Sequence, residues 1–285
     1  MENQNLKSKL KICQVQFMPE HKNPTKSIET VREIMNQIQD EKDIDLILLP
    51  EMALLNYYFL SKEEIEPFLE IKDQGLTYQF CAELAKQFDC YVFSGYQEKE
   101  DNNYYNSQLG VDPQGNLIAN YRKHNLYIDD TYWAIQGDCF QSLSLKFHKR
   151  DNIEVKVSQA ICADIDPVVY PDNKDKVFEL GDFVAKENAQ LVLFTTAWVF
   201  DPDYVFGDDE KSRSDTHSYW IRRLKPKIES GDLRPTYFIA ADRCGEEKGH
   251  PTAGSSCVIQ LTPKVEIINS LSMKETNYII TEIDI

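Results

Sequence analysis

The sequence predicts an α/β fold built from two similar halves, and three observations carry that expectation. Short runs that are apolar throughout, such as Ile44 to Leu49 and LVLFTTAW (191–198), read as strands buried on both faces. Helical spacing lies between such strands, with Ile28, Val31, Ile34, Met35 and Ile38 falling on one face. KICQVQF (11–17) aligns without gaps on KVSQAIC (156–162), and DLILLPEM (45–52) on QLVLFTTA (190–197), both at an offset of 145 residues. Each half therefore reads as a βαβ unit with a right-handed crossover. No linker separates the halves, so the chain is read as a single domain, 1–285.

Along the chain, strand 11–17 leads through a loop with Pro19 and Pro24 to a helix whose expected N-cap is Ser27. The strand 44–49 ends in Pro50-Glu51. A helix from Thr77 to Phe88 and a strand over 90–96 follow. Residues 103–127 read as a hairpin turning at Asp112-Pro113-Gln114-Gly115, ahead of a polar, aromatic loop from Asp129 to Asp138. Val155 to Ile161 reads as a strand that bends sharply at Cys162, where Asp164, Asp166 and Pro167 follow. A helix from Lys176 to Glu187 precedes the strand 191–198, and the Asp- and Ser-rich stretch 201–216 reads as an exposed loop. A helix from His217 to Leu224, strands over 236–245 and 254–261, and the terminal segments VEIINSL and NYIITEIDI complete the pattern.

The composition narrows the function. A net charge of −16 disfavours nucleic acid and anionic membrane surfaces and suits a cationic ligand, such as a peptide amino terminus. The odd set of seven cysteines forms no C-x-x-C pair, which fits reduced thiols in a reducing compartment. The start of the sequence has no apolar signal core, and no apolar run reaches the ~18 residues of a membrane helix. A soluble cytoplasmic protein is expected, with nuclear presence left open. Phosphate-loop and dinucleotide glycine motifs are absent, and the five histidines show no metal-ligand spacing, so neither cofactor nor metal is expected.

Glu51 and Cys162 both fall at carboxyl ends of expected strands, where α/β proteins place their chemistry. With Lys123, they make a workable nucleophilic set. The carboxylate can take the thiol proton, and the ammonium can hold the thiolate and then the oxyanion of a tetrahedral intermediate. Each has a plain alternative: a solvated acid, a surface cation, a buried structural thiol. A thiol–imidazole pair using His124 or His217 also stays open.

The blocks LLPEMALLNYYF, NYRKHNLY and ICADIDP resemble the glutamate, lysine and cysteine blocks of the nitrilase superfamily, in that order. TTAWVF and DRCGEEKGHPTAGSSCVI resemble two further blocks, with Asp242 where asparagine is common. The resemblance implies a four-layer αββα sandwich, no cofactor, and reaction at non-peptide carbon–nitrogen bonds. It implies Glu51 as base, Lys123 as oxyanion stabiliser and Cys162 as nucleophile. The C-x-D-I-D-P pattern most resembles the amino-terminal amidases, which deamidate amino-terminal Asn and Gln and so feed the N-degron pathway. Thr131 stands where many members have a second glutamate, and Asp130 or Asp129 is the candidate to replace it. Asp130, Asp164 and Asp166 are candidates for the substrate ammonium, and Trp198 is a further candidate for substrate binding. Two alternatives are an amidase for small aliphatic, ω-amide or carbamoyl substrates and an inactive scaffold of the same fold. Oligomeric state is left open.

Overall fold

A computed structural model describes residues 9–41, 43–167, 176–200 and 208–285. Its strands are β1 (Lys9–Gln16), β2 (Leu46–Leu48), β3 (Tyr91–Glu100), β4 (Asn103–Val111), β5 (Leu117–Arg122), β6 (Gln141–Phe147) and β7 (Ile153–Ile161) in the first part of the chain. They continue with β8 (Leu191–Thr196), β9 (Thr236–Asp242), β10 (Glu246–Glu247), β11 (His250–Pro251), β12 (Cys257–Thr262), β13 (Glu266–Ser270) and β14 (Asn277–Asp284). The helices are α1 (Pro24–Asn36), α2 (Lys62–Ile65), α3 (Leu76–Phe88), α4 (Glu179–Glu187), α5 (Asp209–Arg223) and α6 (Lys225–Ile228).

Two six-stranded mixed sheets, ordered β14-β1-β2-β3-β4-β5 and β13-β12-β9-β8-β7-β6, make the two inner layers. Their facing side chains form one apolar seam: Ile12, Leu46, Leu48 and Phe93 from the first sheet meet Val157, Leu191, Leu193 and Ile239 from the second. Helices α1 and α3 cover the outer face of the first sheet through Val31, Met35, Phe80 and Leu84. Helices α4 and α5 cover the second through Leu180, Val184 and Trp220. The result is the expected four-layer αββα sandwich. Runs that are apolar throughout suit these strands because each has a sheet on one face and helices on the other.

The internal repeat is visible in the register. Ile12 pairs with Leu46 in the parallel β1–β2 ladder, and Val157 pairs with Leu191 in β7–β8, each residue shifted by the same 145 positions. The conserved spacing carries a shared polar contact too. Gln14 of β1 donates to the Cys257 carbonyl across the seam (2.7 Å), and its counterpart Gln159 of β7 donates to Gln108 Oε1 of β4 (2.9 Å).

Several boundaries differ from expectation. Helix α1 starts at Pro24, with Asn23 rather than Ser27 as its cap, because the Asn23 side chain accepts from Lys26 N and proline suits the first helical position. Ser27 instead lies buried inside the helix, its hydroxyl accepting from Glu20 N. Residues 209–216 are helical, not loop: Asp208 caps α5 by accepting from Lys211 N, and the buried Ser212 and Thr216 lie on its inner face. Residues 201–207 of that expected loop lie outside the described residues. Among the described residues, no helix is long and apolar enough to cross a membrane.

Candidate active site

Glu51 lies just past β2 in a turn that β3 grips from the side. Gly95 N donates to Pro50 O (3.0 Å), and Ala53 N donates to Gly95 O (3.0 Å). A side chain at Gly95 would not fit, since its Cβ would lie 2.5 Å from the Glu51 Cα. The Glu51 carboxylate is buried among donors from both sheets. Oε1 accepts from Lys123 Nζ (2.8 Å) and Asn106 Nδ2 (2.7 Å), and Oε2 accepts from the Ala197 N–H (2.7 Å).

Lys123 follows β5, its backbone tied to Asn106 O (2.8 Å) and to Gly137 N (2.9 Å). Its ammonium is fully buried and lies 2.5 Å from Asp130 Oδ2 as well as against Glu51. Burial alone would lower its pKa, but Asp130 and Glu51 outweigh burial and hold it above the ordinary lysine value. Asp130 also accepts from Tyr57 OH (3.1 Å), Asn106 Nδ2 (3.0 Å) and Tyr127 N (2.9 Å). Of the two aspartates in YIDDTYW, Asp130 is the one bonded to the lysine.

Cys162 terminates β7 with φ of +43°, a left-handed conformation that is uncommon outside glycine and that breaks the strand at this residue. Asp164 braces the bend. Its Oδ2 accepts from Ile161 N (2.7 Å) and Tyr121 OH (2.7 Å), and its Oδ1 from Asn125 N (2.8 Å) in the lysine loop. Burial pushes the Asp164 carboxyl up to about 6 against the pull of those three bonds. The Cys162 thiol is pushed well above its ordinary range, first by burial and then by the Glu51 charge, with Lys123 pulling the other way.

The other expected residues are placed as follows. Asp164 has no exposed surface and accepts from three protein donors, Ile161 N, Tyr121 OH and Asn125 N. Asp130 is likewise enclosed, with its charge matched by Lys123. Asp166 is partly buried, with the Arg223 guanidinium 3.9 Å away. Trp198 packs beside Cys162 and Tyr121, and its ring lies 5.7 Å from both Tyr219 and Trp220. Of the two histidines, His124 is paired with Gly137 O (3.2 Å) and His217 with Ser255 O (3.0 Å).

The carbon-nitrogen hydrolase family profile matches residues 11–166, more than half of the chain and all three blocks that supply Glu51, Lys123 and Cys162. The chain belongs to the carbon-nitrogen hydrolase family. Among its relatives, the protein N-terminal amidase of Schizosaccharomyces pombe is 28% identical over 95% of this chain and 98% of that protein. The protein N-terminal amidase of Saccharomyces cerevisiae is 31% identical over 92% of this chain, which spans 58% of that longer protein. A nitrilase of Pyrococcus abyssi is 26% identical over 97% of this chain and 90% of its own. A crystal structure of an N-terminal amidase with an Asn-Glu-Ala peptide superposes with a TM-score of 0.83 at 20% identity, covering 97% of this chain and 98% of that one. One with a Gln-Val peptide reaches 0.85 at 21%, covering 98% and 99%. These structural likenesses establish the fold.

Asn106, Tyr57 and Glu247, which lie around the Glu51 carboxylate or its neighbours, were not singled out in the sequence. Asn106 bridges Glu51 and Asp130 from β4, and Tyr57 holds Asp130. The available signal for Asn106 was its place two residues before Gln108, both inward on one strand face and both buried. Asp242 accepts from Trp198 N (3.0 Å) and Arg243 N (2.7 Å), and Glu247 accepts from Tyr57 N and Tyr58 N (both 2.9 Å). Together they anchor the segments on which Ala197 and Tyr57 lie.

Proposed function

We propose that this hydrolase deamidates amino-terminal Asn and Gln of polypeptides, releasing ammonia through a Cys162 thioester. The observation that carries the chemistry is the buried Glu51–Lys123–Asp130 network beside a cysteine in a left-handed bend. The substrate class is supported by the relatives named protein N-terminal amidase and by the similar structures that hold Asn- and Gln-initiated peptides.

In this reading Glu51 takes the thiol proton as the sulfur attacks the side-chain amide carbon. Lys123, held charged by its two carboxylates, and a backbone N–H receive the oxyanion. Collapse breaks the carbon–nitrogen bond, and Glu51 returns the proton so that ammonia leaves. Water, deprotonated by Glu51, then cleaves the thioester to the carboxylic acid and restores the thiol. Asp130 takes the part of the family's second glutamate by fixing the lysine. The product exposes a new amino-terminal acid, and we place the enzyme at that step of an N-degron route.

Mass spectrometry of short peptides tests this: Asn-Xaa and Gln-Xaa should each gain about one mass unit on conversion of amide to acid. Inert Asn-Xaa with turnover of a small free amide would instead make it a small-amide hydrolase. No turnover of either would favour the scaffold reading.

A further inference from the structure

One short segment, Asp242 to Ala253, reaches both carboxylates of Lys123 from far along the chain. Asp242 accepts from Trp198 N (3.0 Å), next to the Ala197 N–H that Glu51 uses, and Ala253 N donates to Trp198 O (2.7 Å). On the other side the same segment grips the loop after β2. Residues 51–60 form neither helix nor strand, so their backbone groups need partners from elsewhere. Glu247 spans two successive N–H groups there, Oε2 accepting from Tyr57 N and Oε1 from Tyr58 N (both 2.9 Å). Arg243 Nη2 donates to Leu55 O (2.8 Å), and Lys248 Nζ to Tyr58 O (3.2 Å).

Tyr57 carries this grip inward. Its hydroxyl donates to Asp130 Oδ1 (3.1 Å), whose other oxygen holds Lys123 Nζ (2.5 Å). The centre of its ring lies 5.7 Å from the same nitrogen. Apolar packing also seats the loop, since Tyr57 and Tyr58 cluster with Met52, Leu55 and Trp133. Packing is non-directional and sets the depth of a ring, whereas hydrogen bonds to the main chain set where its hydroxyl points. A buried carboxylate such as Glu247 is costly unless its oxygens have donors and its charge is met. Arg243 meets the charge from 3.8 Å, and both oxygens are used on this one loop.

We propose that Glu247 is a positioning residue for the reaction: by fixing the backbone at Tyr57 it aims the phenol at Asp130 and so holds the Lys123 ammonium where the oxyanion forms. That role rests on the thioester reading above, with Lys123 as oxyanion stabiliser, and not on which amide is attacked.

The test is a double-mutant cycle on the full chain, comparing wild type, Glu247→Gln, Tyr57→Phe and the double variant in steady-state kinetics. The substrate is Asn-Xaa, or a small free amide if only that is turned over, so the substrate reading and this role can fail separately. Glu247→Gln keeps the shape but leaves one oxygen to serve two N–H groups. Each single variant should lower kcat about tenfold or more with KM little changed, because the oxyanion is absent from the ground state. The double variant should lose no more than the poorer single variant, since both substitutions break the same line of contacts. Thermal melts run alongside, and Gln14→Leu, a buried loss in the seam, controls for destabilisation alone. Glu247→Asp, which keeps the charge and shortens the reach, takes the place of Glu247→Gln if that variant does not fold. A double variant whose loss is the product of the two single losses would overturn the proposal, since the residues would then act independently. So would a Glu247→Gln protein with a lowered Tm and wild-type kcat, which would make the contact structural alone. A rise confined to KM would overturn it as well, by placing the loop in substrate binding. A wild type inert on both amides would remove the reaction and this role with it.

Discussion

The two halves of the molecule run the same scaffold to different ends. Strands β1 and β7 occupy equivalent places, as do β2 and β8, and the 145-residue offset pairs Phe17 with Cys162 and Glu51 with Thr196. Phe17 is fully buried in the core beneath α1, continuing the apolar strand pattern. Cys162 instead breaks its strand with a positive φ. Glu51 gathers three donors, whereas the equivalent Thr196 carries no charge. The carboxyl ends of equivalent interior strands therefore present equivalent positions, filled by an aromatic ring or a thiol in one pair and by a carboxylate or a hydroxyl in the other. The site also crosses the halves: the carboxylate comes from the first and the thiol from the second. The Ala197 N–H of the second half orients the carboxylate of the first.

The sharpest way to break that comparison is to substitute the two equivalent strand-end residues. Glu51→Gln keeps the shape but removes the base, and should lower kcat by about a thousandfold or more. Thr196→Val, at the matching position, removes a hydroxyl that lies against the Cys162 thiol but no base, and should cost no more than about tenfold. Cys162→Ala serves as the inactive reference, and all three are read by peptide turnover alongside a thermal melt. Comparable losses at positions 51 and 196 would refute the assignment of the base to the first half.

How much of this was legible depended on whether a residue's role left a mark on local pattern. The strands were readable because double burial demands runs such as LILL and LVLF, although only Leu46–Leu48 of the first is paired in the ladder. The edge strand β6, QSLSLKF, alternates polar and apolar with much of one face open, and it escaped the reading. Helix α5 was partly read as loop because its buried face opens on Ser212, Thr216 and His217 rather than on aliphatic residues. Glu51 and Cys162 were legible because an acid and a thiol at the ends of apolar runs are out of place there. Asn106 fell within a segment read only as a hairpin, and the Ala197 N–H, as backbone, has no signature at all. Asp164 was found by its nearness to Cys162 in sequence. Sequence distance does not say which side of the bend a carboxylate occupies, and the structure puts this one behind it.

The thiols of the two halves sharpen the contrast through pH. In Cys13 of β1 burial alone pushes the thiol up to about 12, and the residue has no exposed surface. Cys162 is also raised, but retains a little exposure and has Lys123 pulling its thiolate form down in energy. A raised pKa means the thiol is protonated at neutrality, so the reactive thiolate fraction grows about tenfold for each pH unit up to that pKa. Iodoacetamide labelling of Cys162, followed by peptide mapping from about pH 6 to about pH 9, should therefore climb without a plateau. Cys13 should stay unlabelled across the range, and the exposed Cys139 gives an internal standard. A plateau for Cys162 below neutrality would mean a pre-formed thiolate, and Glu51 would no longer be needed as the base of the first step.

The smallest effects should separate the two glutamines that mark the repeat. Gln14→Leu removes the donor to the Cys257 carbonyl, and Gln159→Leu removes the donor to Gln108. Each leaves a buried acceptor short of a partner, at a cost of about 1–3 kcal/mol. For a chain of this size that lowers Tm by about 2–4 °C per kcal/mol, similarly for both. Activity should distinguish them. Gln108 also donates to Thr195 Oγ1 (3.1 Å) and lies on β4 two residues from Asn106, the bridge between Glu51 and Asp130. Gln159→Leu should therefore lower kcat several-fold while Gln14→Leu, whose partner lies on β12 away from that bridge, leaves it unchanged. Equal losses of kcat would mean that the halves are coupled through the whole seam rather than through β4, and the local account of how Glu51 is held would fail.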